Sequence, residues 1–195
     1  MTSRNSLPRL AFTPAQAARV GVSSSSLHRM AATGKLERIA PGLYQRPDTA
    51  TYDLDLYAAA VRAPRATICL TSALARHGLV DAIPATTDLA LPRGTRKPAL
   101  KGAAITWHLF DAATFNLGRT TVAIPGAGRK VGLYSPERSI VDAFRLRSIE
   151  GYEIATEALR TWLGRRGSNP ADLLAIATQL PRAEGPIRRA LEYLA

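Results

Sequence analysis

The sequence predicts an α+β chain: two short helices and a hairpin at the N-terminus, a mixed α/β region with a small sheet, and a helical C-terminal tail. Three observations carry that prediction. Residues 13–35, TPAQAARVGVSSSSLHRMAATGK, hold two helix starts separated by a glycine. Between residues 87 and 133 lie four short apolar or alternating runs bounded by proline and glycine, the pattern of strands. Beyond residue 135, helical segments are separated by Gly-Ser-Asn-Pro and Pro-Arg-Ala-Glu-Gly.

Thr13-Pro14 is the first helix start, a hydroxyl cap followed by proline at a position that needs no N–H. Ala15 to Arg19 are mostly strong helix formers, and Val20-Gly21-Val22 breaks the helix. Ser23 caps a second helix through Leu27 and Met30 to a stop at Thr33-Gly34. Ala17, Val20, Val22, Leu27 and Met30 form the expected buried set. Two short helices with glycine in the tight turn are the pattern of a helix-turn-helix. Lys35 then leads into two β-like runs, 36–39 and 43–46, on either side of Ala40-Pro41-Gly42. A hairpin directly after the second helix is a wing, so the N-terminal part is expected to be a winged helix-turn-helix. Only Leu10, Ala11 and Phe12 precede Thr13 as apolar material. Either the usual first helix is vestigial or a later segment supplies its packing.

The polar stretch 47–51 marks a boundary, giving a domain at 1–47 and another at 48–195. In the latter, helices are expected at 54–62 and from Thr71-Ser72 to His77-Gly78. Strands are expected at 87–91, 105–110, 122–124 and 131–133. Residues 66–70 are either a short strand or a helix lead-in. Ser135-Pro136-Glu137 repeats the cap, proline and early acid of a helix start. Helices at roughly 152–165, 171–180 and 186–194 complete the tail.

Of 195 residues, 46% are hydrophobic, enough for a packed core. The formal charge is +11, which favours an anionic partner, nucleic acid first. Residues 1–47 carry seven Lys and Arg against one acid, Glu37, so more than half of the net charge lies in a quarter of the chain. The outward residues of the second helix, Ser24, Ser25, His28 and Arg29, together with Ser23 at its start, are hydrogen-bonding and none is acidic. They sit where a recognition helix meets base edges and phosphates. Lys35, Arg38, Tyr44 and Arg46 would line the hairpin. Arg93, Arg96 and Lys97, in a Pro/Gly loop, are a candidate second phosphate patch; a solvated loop is the plainer reading.

Catalytic and metal patterns are sparse. His28, His77 and His108 lack ligand spacing. Asp81 and Asp88 bracket a strand edge without the further acid and lysine of a divalent-metal nuclease. Asp142 is at helical spacing from Arg138 and Arg145, which suggests a structural ion pair. Cys69, the only cysteine, lies in an apolar run and reads as a buried, inert thiol. The expectation is therefore neither enzyme nor cofactor. With no apolar stretch long enough to span a bilayer and no signal-peptide core at residues 1–12, it is also a cytoplasmic protein without a membrane partner.

Five segments resemble a known family. The helix-turn-helix with LERIAPGLYQRP (36–47) is similar to a G-x-L-x-R-hydrophobic-x-x-G-x-Y wing. LTSALARHGLVDAIP (70–84) is similar to an S-A-L-x-x-H-G-L segment. WHLF (107–110) precedes YSPERSIVDAFRL (134–146), close to an S-P-E-R-T-I-V-D signature, and EALRTWLGRRG (157–167) fits the tail. In this order they resemble the AbiEi antitoxins of abortive-infection, type IV toxin-antitoxin systems, which act in phage defence. The resemblance implies a transcriptional autorepressor whose winged helix binds inverted repeats in double-stranded DNA at its own promoter. It also implies a C-terminal domain that counteracts a nucleotidyltransferase-like toxin. Two other readings compete: a nuclease-like enzyme with a winged-helix targeting domain, and a protein-interaction module that docks a toxin directly.

Overall fold

The computed structural model describes residues 7–8, 11–47, 53–100, 102–125 and 127–194. It divides into two compact units, one of residues 1–64, 98–103 and 123–130, the other of residues 65–97, 104–122 and 131–195.

In the first unit, Thr13 caps α1 (Pro14–Ala18). Its hydroxyl accepts from the Gln16 N–H, while the Gln16 side chain accepts from the Thr13 N–H at 2.8 Å. This reciprocal pair satisfies two helix-start donors at once. Gly21, at φ +77°, turns the chain into α2 (Ser24–Ala32), which Ser23 caps by accepting from the Ser26 N–H. β1 (Glu37–Ala40) and β2 (Leu43–Gln45) pair antiparallel, with Arg38 opposite Tyr44 and a register shift between Arg38 and Ala40. α3 (Leu54–Arg62) starts at Asp53, belongs to the same unit and packs on β1. Residues 48–52, most of the expected linker, lie outside the described residues.

The core here is Leu7, Phe12, Ala17, Val22, Leu27, Leu36 and Tyr44, with Met30 partly buried against it. Val20, expected inside, is 38% exposed. It sits in the turn itself, where Ala17 and Val22 already close the inner side; their backbones are bonded at 3.0 Å. What packs beside Ala11 and Phe12 is also visible. Phe12 and Tyr44 exchange both backbone hydrogen bonds, at 2.8 and 2.9 Å, and Tyr57 of α3 donates to the Ala11 carbonyl. A later segment thus supplies packing. Burial raises the Tyr57 phenol above its ordinary value, partly offset by Arg129.

The five-stranded sheet comprises β3 (Thr67–Ile68), β4 (Thr87–Pro92), β5 (Ile105–Phe110), β6 (Arg119–Ile124) and β7 (Arg129–Tyr134), in the order β5-β4-β3-β7-β6. It is mixed: β3 runs antiparallel to β4 and parallel to β7, and β4 runs parallel to β5. Residues 66–70 resolve into both alternatives at once, since β3 is followed directly by α4 (Leu70–Arg76). α5 (Pro136–Arg145) then touches α4, α6 (Arg147–Glu150), α7 (Tyr152–Leu163), α8 (Pro170–Ala177) and α9 (Glu184–Leu194). The four-residue α6 was not expected. Its core-facing neighbours are α5 and α7, and no residue pattern of that length separates a helix from a turn.

α5 makes its segment intelligible. Ser135 caps it, Pro136 takes its first position, and Glu137 accepts from the Trp162 indole N–H at 3.3 Å. Arg138 and Asp142, both fully buried, pair at 2.8 Å, and Arg145 reaches the other Asp142 oxygen at 2.6 Å. Arg138 Nη1 donates to the Thr114 and Leu117 carbonyls, and its guanidinium lies 4.5 Å from the Tyr134 ring centre. Nη2 has no hydrogen-bond partner among the described residues. His77, at the end of α4, donates to the Tyr134 carbonyl at 2.7 Å, and Arg165 donates to the His77 and Gly78 carbonyls. Segments 70–84, 134–146 and 157–167 therefore hold one another in place around α5.

Cys69 is fully buried, and burial followed by the nearby Asp88 pushes its thiol well above the usual range. Among the described residues, no helix is long and apolar enough to cross a membrane.

Candidate nucleic-acid interface

α2 is two-sided because its apolar positions are few. Leu27 is fully buried, and Met30 is partly buried one turn on. The remaining surface presents Ser24, Ser25, His28 and Arg29, all exposed. No acid stands in its first turn. Ser23 is exposed too, but its hydroxyl is engaged: it caps the helix and lies 3.0 Å from both the Ser25 and Ser26 hydroxyls. Lys35 and Arg38 are exposed and Arg46 is half-buried.

Tyr44 lies inside rather than on the hairpin surface. It was expected to line the hairpin surface, but it is 1% exposed and belongs to the core. Its backbone is taken by Phe12, and its ring stacks with the Phe12 ring at 6.5 Å. The His28 ring stands edge-on to it at 6.1 Å, with the Tyr44 hydroxyl 3.5 Å from His28 Nδ1, the outer limit of a hydrogen bond. Tyr44 therefore supports His28 from beneath. A tyrosine next to Gln45, also buried, breaks the strand alternation from which an outward side chain is inferred.

Sequence reasoning missed two residues. Arg19 is an exposed cation at the C-terminal cap of α1; its place in the turn, two residues before the glycine, is the signal that could have found it. Glu37, the segment's one acid, accepts from Gln45 Nε2 at 2.6 Å across the hairpin. That pairing of residues 37 and 45 follows only from the strand register.

In the second unit, Arg93, Arg96 and Lys97 are all exposed between β4 and β5, and Lys97 Nζ donates to the Trp107 carbonyl at 3.1 Å. Among the described residues, no group of three or more His, Cys, Asp and Glu side chains is placed to hold a metal ion. His77 and His108 serve hydrogen bonds, the latter to Asp88 at 2.9 Å.

Residues 9–47 match a family described as "Transcriptional regulator, AbiEi antitoxin". The crystal structure of the RV2827C protein from Mycobacterium tuberculosis is similar with a TM-score of 0.62 and 17% identity. The similarity covers 94% of this chain and 71% of that one, and at that identity it is a likeness of fold. A comparison with curated proteins finds no match.

Proposed function

We propose, taking as premise that this chain carries in residues 9–47 the segment of the AbiEi antitoxin family, a regulator that binds and represses its own promoter. In this reading residues 1–47 are a winged helix-turn-helix. α2 enters the major groove, with Ser24, Ser25, His28 and Arg29 toward base edges and phosphates, and Ser23 caps the helix that carries them. Lys35, Arg38 and Arg46 contact the backbone along the hairpin. Residues 48–195 are the antitoxin domain, which counteracts a nucleotidyltransferase-like toxin, and Arg93, Arg96 and Lys97 give a second phosphate contact.

The observation that carries the reading is the exposed side of α2. From Ser24 to Arg29 it is polar or basic, it is acid-free in its first turn, and it is set on a helix whose opposite side is fixed by the fully buried Leu27. A merely solvated helix on a protein of ordinary composition would mix both signs of charge there.

A gel-shift with the promoter of the operon tests it. Arg29→Ala and Arg38→Ala should each weaken binding, and the affinity of the native chain should fall steeply as salt rises. Unchanged affinity in both variants removes the assigned face. Co-expression with the adjacent toxin separates the two roles: Arg29→Ala should lose repression while still restoring growth.

A further inference from the structure

Four arginines of the second unit line neighbouring recesses. Arg145, in the last turn of α5, and Arg182, between α8 and α9, line two recesses at once. One, of about 680 Å³, adds Arg147. The other, of about 560 Å³, adds Arg93 from the end of β4 and Trp107 and His108 from β5. Asp111 is the only acidic side chain lining either recess among the described residues.

The cluster is also electrically open. Asp142 is shared between Arg138 and Arg145, so one carboxylate faces two guanidiniums. Arg182 is exposed and holds φ +63°, a conformation uncommon for a side-chain-bearing residue. His108 is oriented: Asp88 Oδ1 holds its Nε2 at 2.9 Å, and the Ser72 hydroxyl donates to Asp88 Oδ2 at 3.0 Å. With Nε2 engaged, Nδ1 is the nitrogen left for a ligand.

We propose that the two recesses form one binding site for a nucleoside polyphosphate. The phosphates lie over Arg145 and Arg182, where the recesses share their walls, with Arg147 on one side and Arg93 on the other. The sugar and base occupy the lobe of Trp107 and His108. Guanidiniums grip phosphate oxygens in pairs, and four of them, against Asp111 on the wall and the Asp142 carboxylate that Arg145 shares with Arg138, leave positive charge for an anion. The volumes are those of small-ligand sites. A duplex carries its phosphates on a convex surface, which recesses of this size do not enclose. The half-buried indole of Trp107 favours a nucleoside over a bare chain of phosphates.

Calorimetric titration of the full chain with ATP, GTP, pyrophosphate and inorganic phosphate tests this. A triphosphate should bind most tightly and inorganic phosphate least. Arg182→Gly suits the backbone at φ +63° while removing the guanidinium, so the protein should stay folded, by its urea midpoint, and lose about tenfold in triphosphate affinity. Trp107→Leu should weaken ATP or GTP and leave pyrophosphate unchanged. Absence of heat with both triphosphates at millimolar concentration overturns the proposal, as does an unaltered affinity in Arg182→Gly. Equal binding of pyrophosphate and ATP overturns the nucleoside assignment. Loss of promoter binding in Arg182→Gly, with no nucleotide bound by the native chain, assigns the groove to DNA instead.

Discussion

The α2 surface and the α5 core use the same residue types in opposite ways. On α2, Arg29 and His28 are exposed above a core of few side chains. On α5, Arg138 is fully buried, held by a carboxylate, two carbonyls and an aromatic ring. A buried charge is tolerated only when paired, so Arg138 has no freedom to meet a partner. An exposed charge adds little to stability, so Arg29 can be given over to one. Where charge sits on the burial scale thus separates residues that hold the fold from those free to bind.

The comparison is tested hardest at Asp142. Asp142→Ala would strand Arg138 in the core with Nη2 already unpartnered. Removing one partner of a buried pair costs about 3–5 kcal/mol. Urea unfolding should show a loss of that order. The double variant Arg138→Met/Asp142→Leu should be markedly less destabilised than Asp142→Ala, because no charge is left buried. If Asp142→Ala unfolds at the native midpoint, the pair is not holding α5.

Gly118→Ala probes the same core from outside α5. Gly118 is at φ +66°, and an added Cβ would lie 2.7 Å from Arg138 Cβ. Overpacking of this kind costs about 1–3 kcal/mol, before the cost of the backbone conformation. The expected outcome is a lowered urea midpoint with promoter affinity unchanged below the transition. Loss of DNA binding in a still-folded protein would undo the separation between core and surface.

These cases also show what the residues disclose before folding. The caps at Thr13, Ser23 and Ser135 and the glycine at 21 were legible because each acts on its own helix end within three residues. The spacing of Arg138, Asp142 and Arg145 was legible as a pairing, but not its burial, which depends on Thr114, Leu117 and Tyr134. Tyr44 was misplaced because its partner Phe12 is more than thirty positions away, and strand alternation alone cannot register that contact. The arginine-lined recesses were invisible for the same reason. They draw on β4, β5, α5, α6, the turn before α9 and α9 itself, segments with no shared local pattern.

At the α2 surface the expected changes are smaller and lie in binding. Arg29→Ala should cost about 1–3 kcal/mol of promoter affinity if it reads a base, and relax sequence preference at one position. Arg38→Ala, a backbone contact in the proposal, should weaken all sequences alike and reduce the salt slope by about one. Neither should change the unfolding free energy in urea by more than about 0.5 kcal/mol, as for surface substitutions generally. A midpoint shift equal to that of Asp142→Ala would mean that these side chains are structural after all.

Alkaline titration gives a further contrast. Cys69 and Tyr57 are both raised by burial from ordinary values of 9.0 and 10.0. For a group raised in the folded state, its contribution is whole below the ordinary value and is lost as pH climbs through the folded one. Stability should therefore hold up to about pH 9 and decline above it, since the unfolded chain releases those protons first. In the native state Cys69 should resist a thiol reagent at pH 8 and react once urea unfolds the chain; rapid labelling of folded protein would contradict its burial.

The smallest effect sits where the two kinds of residue meet. Tyr44→Phe keeps the ring in the Phe12 cluster and removes only the hydroxyl, 3.5 Å from His28 Nδ1. A contact at that distance is weak, so stability should change by less than about 1 kcal/mol. If the hydroxyl steers His28 toward a groove, promoter affinity should fall slightly in Tyr44→Phe and not fall further in the double variant with His28→Ala. That non-additivity is the sign of a shared interaction. Additive losses would mean that Tyr44 serves the hairpin and His28 serves the DNA independently, and the support of one by the other would be a matter of packing alone.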